Sequence, residues 1–306
     1  MTTVVTPELL AAEAAVPRKR RPTPWGRIAM YGFLSIMAIV WLFPLAWAIY
    51  TALRPYSDTQ AAGYISLPQH LNFQNFIDAW NGGDFAQHFL STLIVAVPAV
   101  IVTLLVASMV AFSVSRFSWR FNLVILLIFT AGNLLPPQVI IVPLFKLYTA
   151  LRGVPPPLSD NSLLYNQYFG VFLINFVFQL GFCTFVLSNY MKTISHELTE
   201  AALVDGASVL RIWGGVIMPL CRPAIAALAT LLFTFIYNDF FWALILIKDG
   251  DRRPITSALN NLQGQFFTDT NLLAAGALLA AIPTILVFLV LQKHFISGLS
   301  LGATKG

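Results

Sequence analysis

The chain has 306 residues, of which 58% are hydrophobic and 10% charged, and its mean hydropathy is +0.75. A soluble domain carries about 25% charged residues, so this composition excludes a soluble domain. It predicts a chain that lies in a lipid bilayer. The net charge of +5 does not indicate a nucleic-acid partner, because lysine and arginine flank apolar runs instead of forming a basic surface interleaved with aromatic residues. The length suits one helical membrane domain.

Residues 1–24 precede the first apolar run and end in two prolines, Pro22 and Pro24. They contain Glu8 and Glu13, followed by the basic residues 18–21, and we expect them to form a flexible cytoplasmic tail. The apolar run Ile28–Tyr50 is long enough to span a bilayer and has no small-residue cleavage site. It is therefore predicted to be a retained helix and not a signal peptide.

Apolar runs of about 20 residues predict membrane-spanning helices, because a helix satisfies its own backbone polar groups in hydrocarbon. No alternating pattern typical of strands competes with them. We therefore predict an all-α membrane protein with six transmembrane helices. The six runs are Ile28–Tyr50, Phe89–Val114, Phe121–Phe145, Phe169–Leu187, Pro223–Ile247 and Leu272–Gln292.

The distribution of basic residues predicts the orientation of these helices. With the N-terminus in the cytoplasm, twelve of the 18 lysine and arginine residues lie on the cytoplasmic side, as the positive-inside rule requires. Lys248, Arg252 and Arg253 lie in one outer loop and run against the rule. We expect both termini to be cytoplasmic and the protein to be a multi-pass component of the cytoplasmic membrane.

Prolines interrupt the third apolar run at Pro136, Pro137 and Pro143. Each removes a backbone donor and crowds the preceding turn, so a bent helix is predicted. Such a bend is tolerated where neighbouring helices or a watery cavity satisfy the freed carbonyls. A kink used only for packing is an equally good interpretation.

The fifth apolar run contains an acid, Asp239. A charged side chain at the bilayer centre costs about 2.5 to 3.5 kcal/mol on insertion scales, so Asp239 should face a polar interior or a partner. Tyr237, Asn238 and Trp242 are its neighbours in sequence, and aromatic, amide and carboxylate groups suit a sugar. A hydrogen bond between helices is the simpler alternative.

The loop at about residues 192–222 is polar by the standards of this chain, and we expect it to form two short helices. Ser195 is placed to cap the first helix, and Gly206 permits a turn that other residues resist. Pro219 is expected to end the second helix.

This loop has two interpretations. Small alanines let another protein approach closely, and Glu200 and Asp205 offer carboxylates for arginine pairing, which together favour a docking knob. The second interpretation, an amphipathic connector that lies at the lipid surface, is also consistent with the composition of the loop.

The sequence carries no pattern for catalysis or metal binding. The Gly-x4-Gly-Lys-Ser/Thr loop that cradles nucleotide phosphates is missing. No disulfide is expected between Cys183 and Cys221, which lie in or beside apolar runs. The histidines have neither metal-ligand spacing nor a nucleophile beside them; they are His70, His88, His196 and His294. We expect no enzyme activity, metal or cofactor on this chain.

Spacing in the 192–222 loop identifies a resemblance. Glu200-Ala-Ala, three residues, Gly206, nine residues, an aliphatic pair, Met218 and Pro219 resemble the EAA loop of ATP-binding-cassette (ABC) importer permeases, although the family more often ends in Ile-x-Leu-Pro. Three further segments resemble the carbohydrate-uptake, maltose-type branch of that family: Pro136-Pro-Gln-Val-Ile-Ile-Val-Pro143-Leu, Asn238-Asp239-Phe-Phe-Trp242 and the ending from Gly298 to Gly306. The resemblance covers residues 25–306.

The resemblance implies the type I ABC importer permease fold over residues 25–306 and a coupling helix in the loop. The residues implied to contact an ATPase are Glu200, Ala201, Ala202, Asp205, Gly206, Ala207 and Pro219. Candidate residues of the substrate pathway are Asn133, Gln138, Tyr237, Asn238, Asp239 and Trp242. The implied partners are a second permease, two ATPase subunits that use ATP and Mg²⁺, an extracytoplasmic binding protein, a carbohydrate and membrane lipid.

Other features leave alternatives open. The outer loops Thr51–Gln87 and Lys248–Asn271 are long enough to dock an external partner. Residues Arg152–Tyr168, with three consecutive prolines, are longer than the family's usual link. A secondary transporter or channel that works without ATP would also explain the bent third run and Asp239, but it predicts paired inverted repeats, which are not evident. A scaffold that recruits a cytoplasmic protein is a third hypothesis.

Overall fold

The computed structural model describes residues 24–134, 136–151, 164–263 and 268–300. The predictions for the tail at 1–23, for most of the 152–168 link and for the chain ending at 301–306 therefore lie outside the described residues. Residues 24–48 form one compact unit, and the described residues from Ile49 onward form a second. The described residues contain helices and connecting segments but no strand.

The described residues contain fourteen α-helices, numbered in chain order. They are α1 (Pro24–Leu53), α2 (Tyr56–Ala62), α3 (Gln74–Gly82), α4 (Phe85–Arg116), α5 (Asn122–Leu134), α6 (Ile141–Ala150), α7 (Tyr168–Lys192), α8 (Glu197–Val204), α9 (Val209–Arg211), α10 (Met218–Leu220), α11 (Arg222–Tyr237), α12 (Phe241–Leu246), α13 (Ile255–Ala258) and α14 (Thr270–Ser300). Short 3-10 helices occur at Pro137–Ile140, Gly250–Arg252 and Leu259–Leu262, and a π-helix at Ile212–Ile217.

Four helices in the described residues are long and apolar enough to cross a membrane. They are α1, α4, α7 and α14. Two bent pairs of helices pass the same test when each pair is taken together, which raises the count to six. The pairs are Asn122–Gly132 with Pro137–Ala150, and Val209–Leu220 with Arg222–Tyr237. The prediction of an all-α membrane protein is confirmed, and six spans fall within this count.

The first bent pair lies at the prolines of the third apolar run. α5 ends at Leu134, and after the 3-10 helix Pro137–Ile140 the chain continues in α6 at 88° to the preceding helix. Proline cannot donate the backbone hydrogen bond that would continue α5 through this point. The predicted bend is therefore present, and it is sharp.

The fifth apolar run is two helices, whereas the sequence predicted one from Pro223 to Ile247. α11 ends at Tyr237 and α12 begins at Phe241. The backbone N–H of Trp242 is taken by the Asp239 side chain at 3.0 Å, so the acid serves as a local cap in place of a continuous helix. The prediction of an uninterrupted fifth helix was wrong for this reason.

The core of the second unit follows the contact between α4 and α7. Fully buried alanines on α4, at Ala96, Ala99, Ala107 and Ala111, let the two helices approach closely. One apolar cluster surrounds Phe112 and Leu187, and another surrounds Ile174 and Trp242. The clusters lie towards opposite ends of α7.

The two ends of this helix bundle carry different structures. The C-terminal end of α7 leads into α8, and we call this the α8 end. At the opposite end, Asn166 accepts hydrogen bonds from the backbone N–H groups of Lys248 and Asp249, and His88 Nδ1 lies 2.7 Å from the carbonyl of Arg253. Loops near 166 and 248–253 are therefore far along the bundle from α8.

A buried polar network organises the opposite end. Arg54 is 1% exposed, and its Nε donates to Asp58 at 2.8 Å. Its terminal nitrogens donate to the Gly63 carbonyl at 2.8 Å and to Ser66 Oγ at 2.6 Å. Asn271, at the start of α14, donates to the Arg54 carbonyl at 2.8 Å. The network thus joins the segment after α1 to the start of the last helix.

Candidate coupling loop and intramembrane polar site

The first helix of the loop, α8, begins immediately after a side-chain hydrogen bond. Ser195 Oγ accepts from the backbone N–H of Glu197 at 3.3 Å, but the prediction that Ser195 is the helix cap was wrong, because Ser195 lies one residue before the N-cap position and no side chain caps this helix. His196 is the residue at the N-cap position itself. Glu197 and Glu200 lie in the first turn, where the helix dipole favours negative charge.

A glycine turn ends α8 and redirects the chain. Gly206 has φ = +78°, in the left-handed region that glycine adopts without strain. The N–H of Ala207 bonds to the carbonyl of Ala202 at 2.9 Å, and the N–H of Gly206 to that of Leu203 at 3.0 Å. This pair of bonds is the Schellman arrangement. The predicted turn at Gly206 is confirmed.

The second helix of the loop runs from Val209 to Leu220 and has a π-helical centre. Ser208 Oγ accepts from the N–H of Arg211 at 3.4 Å and caps its start. Pro219 was expected to end this helix, but the helix continues to Leu220. The N–H of Met218 bonds to the carbonyl of Trp213, five residues back, so the widened turn precedes the proline and accommodates its ring. The chain then bends by 79° into α11.

The residues expected to contact an ATPase divide by exposure. Glu200, Ala201, Asp205 and Gly206 are exposed, whereas Ala202, Ala207 and Pro219 are half-buried. Ala202 and Ala207 pack against the cluster around Phe112 and Leu187. The loop therefore exposes one set of the predicted residues, while Ala202 and Ala207 of the other set seat it on the bundle.

Exposed apolar side chains accompany these residues, and the sequence interpretation missed them. They are Leu198, Leu203, Val204, Val209 and Leu210, with Val204 the most exposed at 87%. The available signal was the eight-residue length of α8, because a short helix with Leu198, Ala201, Ala202, Leu203 and Val204 cannot bury all its apolar faces at once. The loop offers both carboxylates and apolar contact area.

The intramembrane acid Asp239 lies in a hydrogen-bonded bridge. Asn175 of α7 donates from Nδ2 to Asp239 Oδ2 at 2.8 Å, while the Trp242 N–H donates to Oδ1 at 3.0 Å. Thr256 Oγ1 donates to the Asp239 carbonyl at 3.1 Å. Asp239 is half-buried, and it connects α7, α12 and the segment that contains α13.

The other candidate pathway residues do not form one face. Tyr237 is buried, with its hydroxyl donating to the Ala280 carbonyl at 2.8 Å, and Trp242 is buried beside Phe178. This placement differs from the expected aromatic surface, because both rings fill the core. Asn238 and Gln138 are exposed. The side chain of Asn133 lies outside the described residues.

Within the residues that the structure describes, no group of three or more histidine, cysteine, aspartate or glutamate side chains could hold a metal ion. Cys183 and Cys221 are both buried and free. Among the candidate residues, the fold thus places one set in the exposed loop at the α8 end and another at the Asp239 bridge within the bundle.

Most of the chain matches one protein family. Residues 89–300 match the family described as the binding-protein-dependent transport system inner membrane component. The chain belongs to this family. The match begins within α4 and ends with α14, so it includes both the loop and the Asp239 bridge. This importer permease is accordingly a multi-pass protein of the inner membrane.

Similar proteins extend the likeness beyond the matched region. The permease is 29% identical to a probable ABC transporter permease protein, YurM, of Bacillus subtilis strain 168, over 94% of this chain and 92% of that protein. It is 28% identical to the melibiose/raffinose/stachyose import permease protein MelC of the same strain, over 89% of this chain and 94% of that one.

A solved structure has the same fold. It belongs to a bacterial ABC transporter involved in the import of the acidic polysaccharide alginate, and it aligns with a TM-score of 0.72 at 20% identity, over 96% of this chain and 100% of that chain. The likeness confirms the predicted importer-permease fold.

Proposed function

We propose that this permease forms half of the pathway by which a carbohydrate crosses the membrane, and that its 192–222 loop couples that pathway to a separate ATPase. The carbohydrate assignment is supported by the oligosaccharides named for MelC and the polysaccharide named for the structural neighbour. It is also supported by the resemblance of residues 136–144 and 238–242 to the carbohydrate-uptake branch.

The observation that carries the proposal is the exposure of α8. A helix of eight residues that exposes Glu200 and Asp205 next to Leu203 and Val204 has the mixture of contacts that suits a protein partner. Carboxylates pair with arginine through charge-assisted hydrogen bonds, and the apolar side chains supply contact area. The ATPase subunit is the partner that an importer permease requires at this loop.

The complete importer in this proposal contains a second, homologous permease, two ATPase subunits that bind ATP and Mg²⁺, and an extracytoplasmic binding protein. The permease itself performs no hydrolysis and binds no cofactor. The α8 end and both termini face the cytoplasm, in agreement with the excess of lysine and arginine expected there. Closure of the ATPases moves the helix bundle by rigid-body rotation and alternates access to the substrate.

Within the pathway, we assign direct contact with solute to the exposed amides Asn238 and Gln138, with Asn133 as a further candidate. Asp239, Tyr237 and Trp242 support this region through the contacts described above. Amide groups can donate to and accept from sugar hydroxyls, so they suit a carbohydrate without adding charge to the membrane interior.

The test measures solute uptake and ATP hydrolysis by the assembled importer in proteoliposomes. Gly206→Pro cannot retain φ = +78°, and Glu200→Arg reverses an exposed charge on α8. Both variants should remain inserted, should lose ATP-dependent uptake, and should lose the stimulation of ATPase activity by solute-loaded binding protein. Arg120→Glu, which reverses an exposed charge in the link between α4 and α5, should behave as the wild type. Normal uptake by both loop variants would refute the coupling assignment.

A further inference from the structure

Arg116, the last residue of α4, contacts the segment that leads from α7 into α8. Its Nη2 donates to the Met191 carbonyl at 2.7 Å. Its Nη1 donates to the carbonyls of Ile194 at 3.0 Å and Ser195 at 3.2 Å. The residue is only 7% exposed. Three carbonyls of one short segment therefore converge on a single side chain from another helix.

The charge of Arg116 is balanced by backbone dipoles. It forms no ion pair with a carboxylate in the part of the chain that the structure describes. The carbonyls that it contacts belong to the end of α7 and the link beyond it, where the helix dipole places partial negative charge. Hydrogen bonds with a charged donor are stronger than neutral ones, so this contact holds the link firmly.

Apolar and polar contacts around Arg116 also join the end of α4 to the end of α7 and the link beyond it. Phe112 and Phe117 meet edge to face with ring centroids 5.6 Å apart, and Ser115 Oγ lies 3.8 Å from Met191 Sδ. Ile194 packs against the same cluster as Phe112. The guanidinium thus acts on a link that is already in contact with α4.

The contacts form a continuous connection from the membrane helix to the loop. Arg116 holds the carbonyl of Ser195, and the hydroxyl of Ser195 accepts the N–H of Glu197 at the start of α8. Only His196 separates Ser195 from Glu197 in the sequence. Two hydrogen-bonded steps therefore link α8 to α4.

We propose that Arg116 is a positioning residue that makes α8 and α4 move as one body, so that force applied to the loop reaches the transmembrane bundle. The inference rests on the proposed coupling function and adds the residue that transmits it. Arginine is required because its planar fork reaches several carbonyls at once, whereas lysine presents a single ammonium group.

The experiment compares Arg116→Gln, Arg116→Lys and Arg120→Gln in the assembled importer. Arg120 lies four residues further along, is exposed, and contacts the face of the Phe121 ring, so it is a matched control. The measured quantity is the number of solute molecules transported per ATP hydrolysed. We expect this ratio to fall roughly five- to tenfold in Arg116→Gln, the lower range of coupling effects between sites, to fall less in Arg116→Lys, and to stay constant in Arg120→Gln.

The ratio separates coupling from stability, because a merely destabilised subunit lowers transport and hydrolysis together. An Arg116→Gln importer with the wild-type ratio, whatever its amount, overturns the inference. Should that variant fail to assemble, an Arg116→Lys importer with the wild-type ratio overturns it instead. If the wild-type importer shows no ATPase stimulation by solute, the proposed function itself fails, and this outcome is distinct from the other two.

Discussion

Asp239 illustrates how the fold decides between two sequence interpretations of a single residue. An acid in an apolar run predicted either a pathway group or a bridge between helices. Its carboxylate accepts from Asn175, which lies 64 residues earlier in the chain, and from the backbone of Trp242. The bridging alternative is therefore realised in the fold. The sequence could identify the residue, but it could not identify a partner on α7.

Replacing Asp239 should destabilise the subunit in proportion to the hydrogen bonds lost. Asp239→Leu leaves the Trp242 N–H without its acceptor and the Asn175 amide with only the Val171 carbonyl, which should cost about 2 to 3 kcal/mol of unfolding free energy. Asp239→Asn keeps one acceptor oxygen and should cost less than half of that. Thermal unfolding of the purified importer in detergent measures the difference. Unchanged unfolding midpoints in both variants, combined with lost uptake, would mean that Asp239 acts on the solute and not as a bridge.

Gly206 shows the opposite case, in which local chemistry was enough. A glycine after Ala201, Ala202, Leu203 and Val204 predicts a turn because other residues resist positive φ, and Gly206 adopts φ = +78°. The turn depends on no distant residue. This is why the sequence predicted it correctly.

At the scale of elements, the length of the apolar runs predicted the spans, and the prolines predicted one of their interruptions. The bend after α5 follows from proline chemistry and was expected. The break between α11 and α12 depends on the cap that Asp239 provides, and the π-helix Ile212–Ile217 depends on packing beneath the loop. Neither the break nor the π-helix is indicated by a strong pattern in the local sequence. Exposed apolar residues on α8 were missed because hydropathy does not distinguish a core face from a docking face.

The network after α1 predicts a pH dependence of stability. The hydrogen bond from Arg54, followed by that from the Gln69 N–H, lowers the pKa of Asp58 below its usual range. The unfolded chain therefore binds the proton more readily, so this stabilisation is fully present above the ordinary carboxyl pKa of about 4 and is lost as the pH falls through the lowered value.

The comparison of wild type with Asp58→Asn measures this contribution. The wild-type unfolding midpoint should fall more steeply than that of the variant as the medium is acidified through the region below about pH 4. Asp78→Asn, which alters an exposed acid on α3, should retain the wild-type slope. Parallel curves for wild type and Asp58→Asn would show that the Arg54 contact does not stabilise the folded state.

At the scale of the whole molecule, the fold and the family follow from features that act locally. Runs of apolar residues predicted the helices, and the spacing from Glu200 to Pro219 identified the importer-permease family that residues 89–300 match. The seat of the loop on α4 was not predictable, because it depends on Arg116 reaching the end of another helix.

The most direct test of the account asks which protein the loop contacts. A photo-reactive amino acid placed at Leu203, on the exposed surface of α8, should form an adduct with the ATPase subunit in the assembled importer. The same group at Ile65, which is 88% exposed at the opposite end of the bundle, should form none with that subunit. An ATPase adduct from Ile65, or a co-purifying ATPase that is never captured from Leu203, would contradict the claim that this loop couples the permease to ATP hydrolysis.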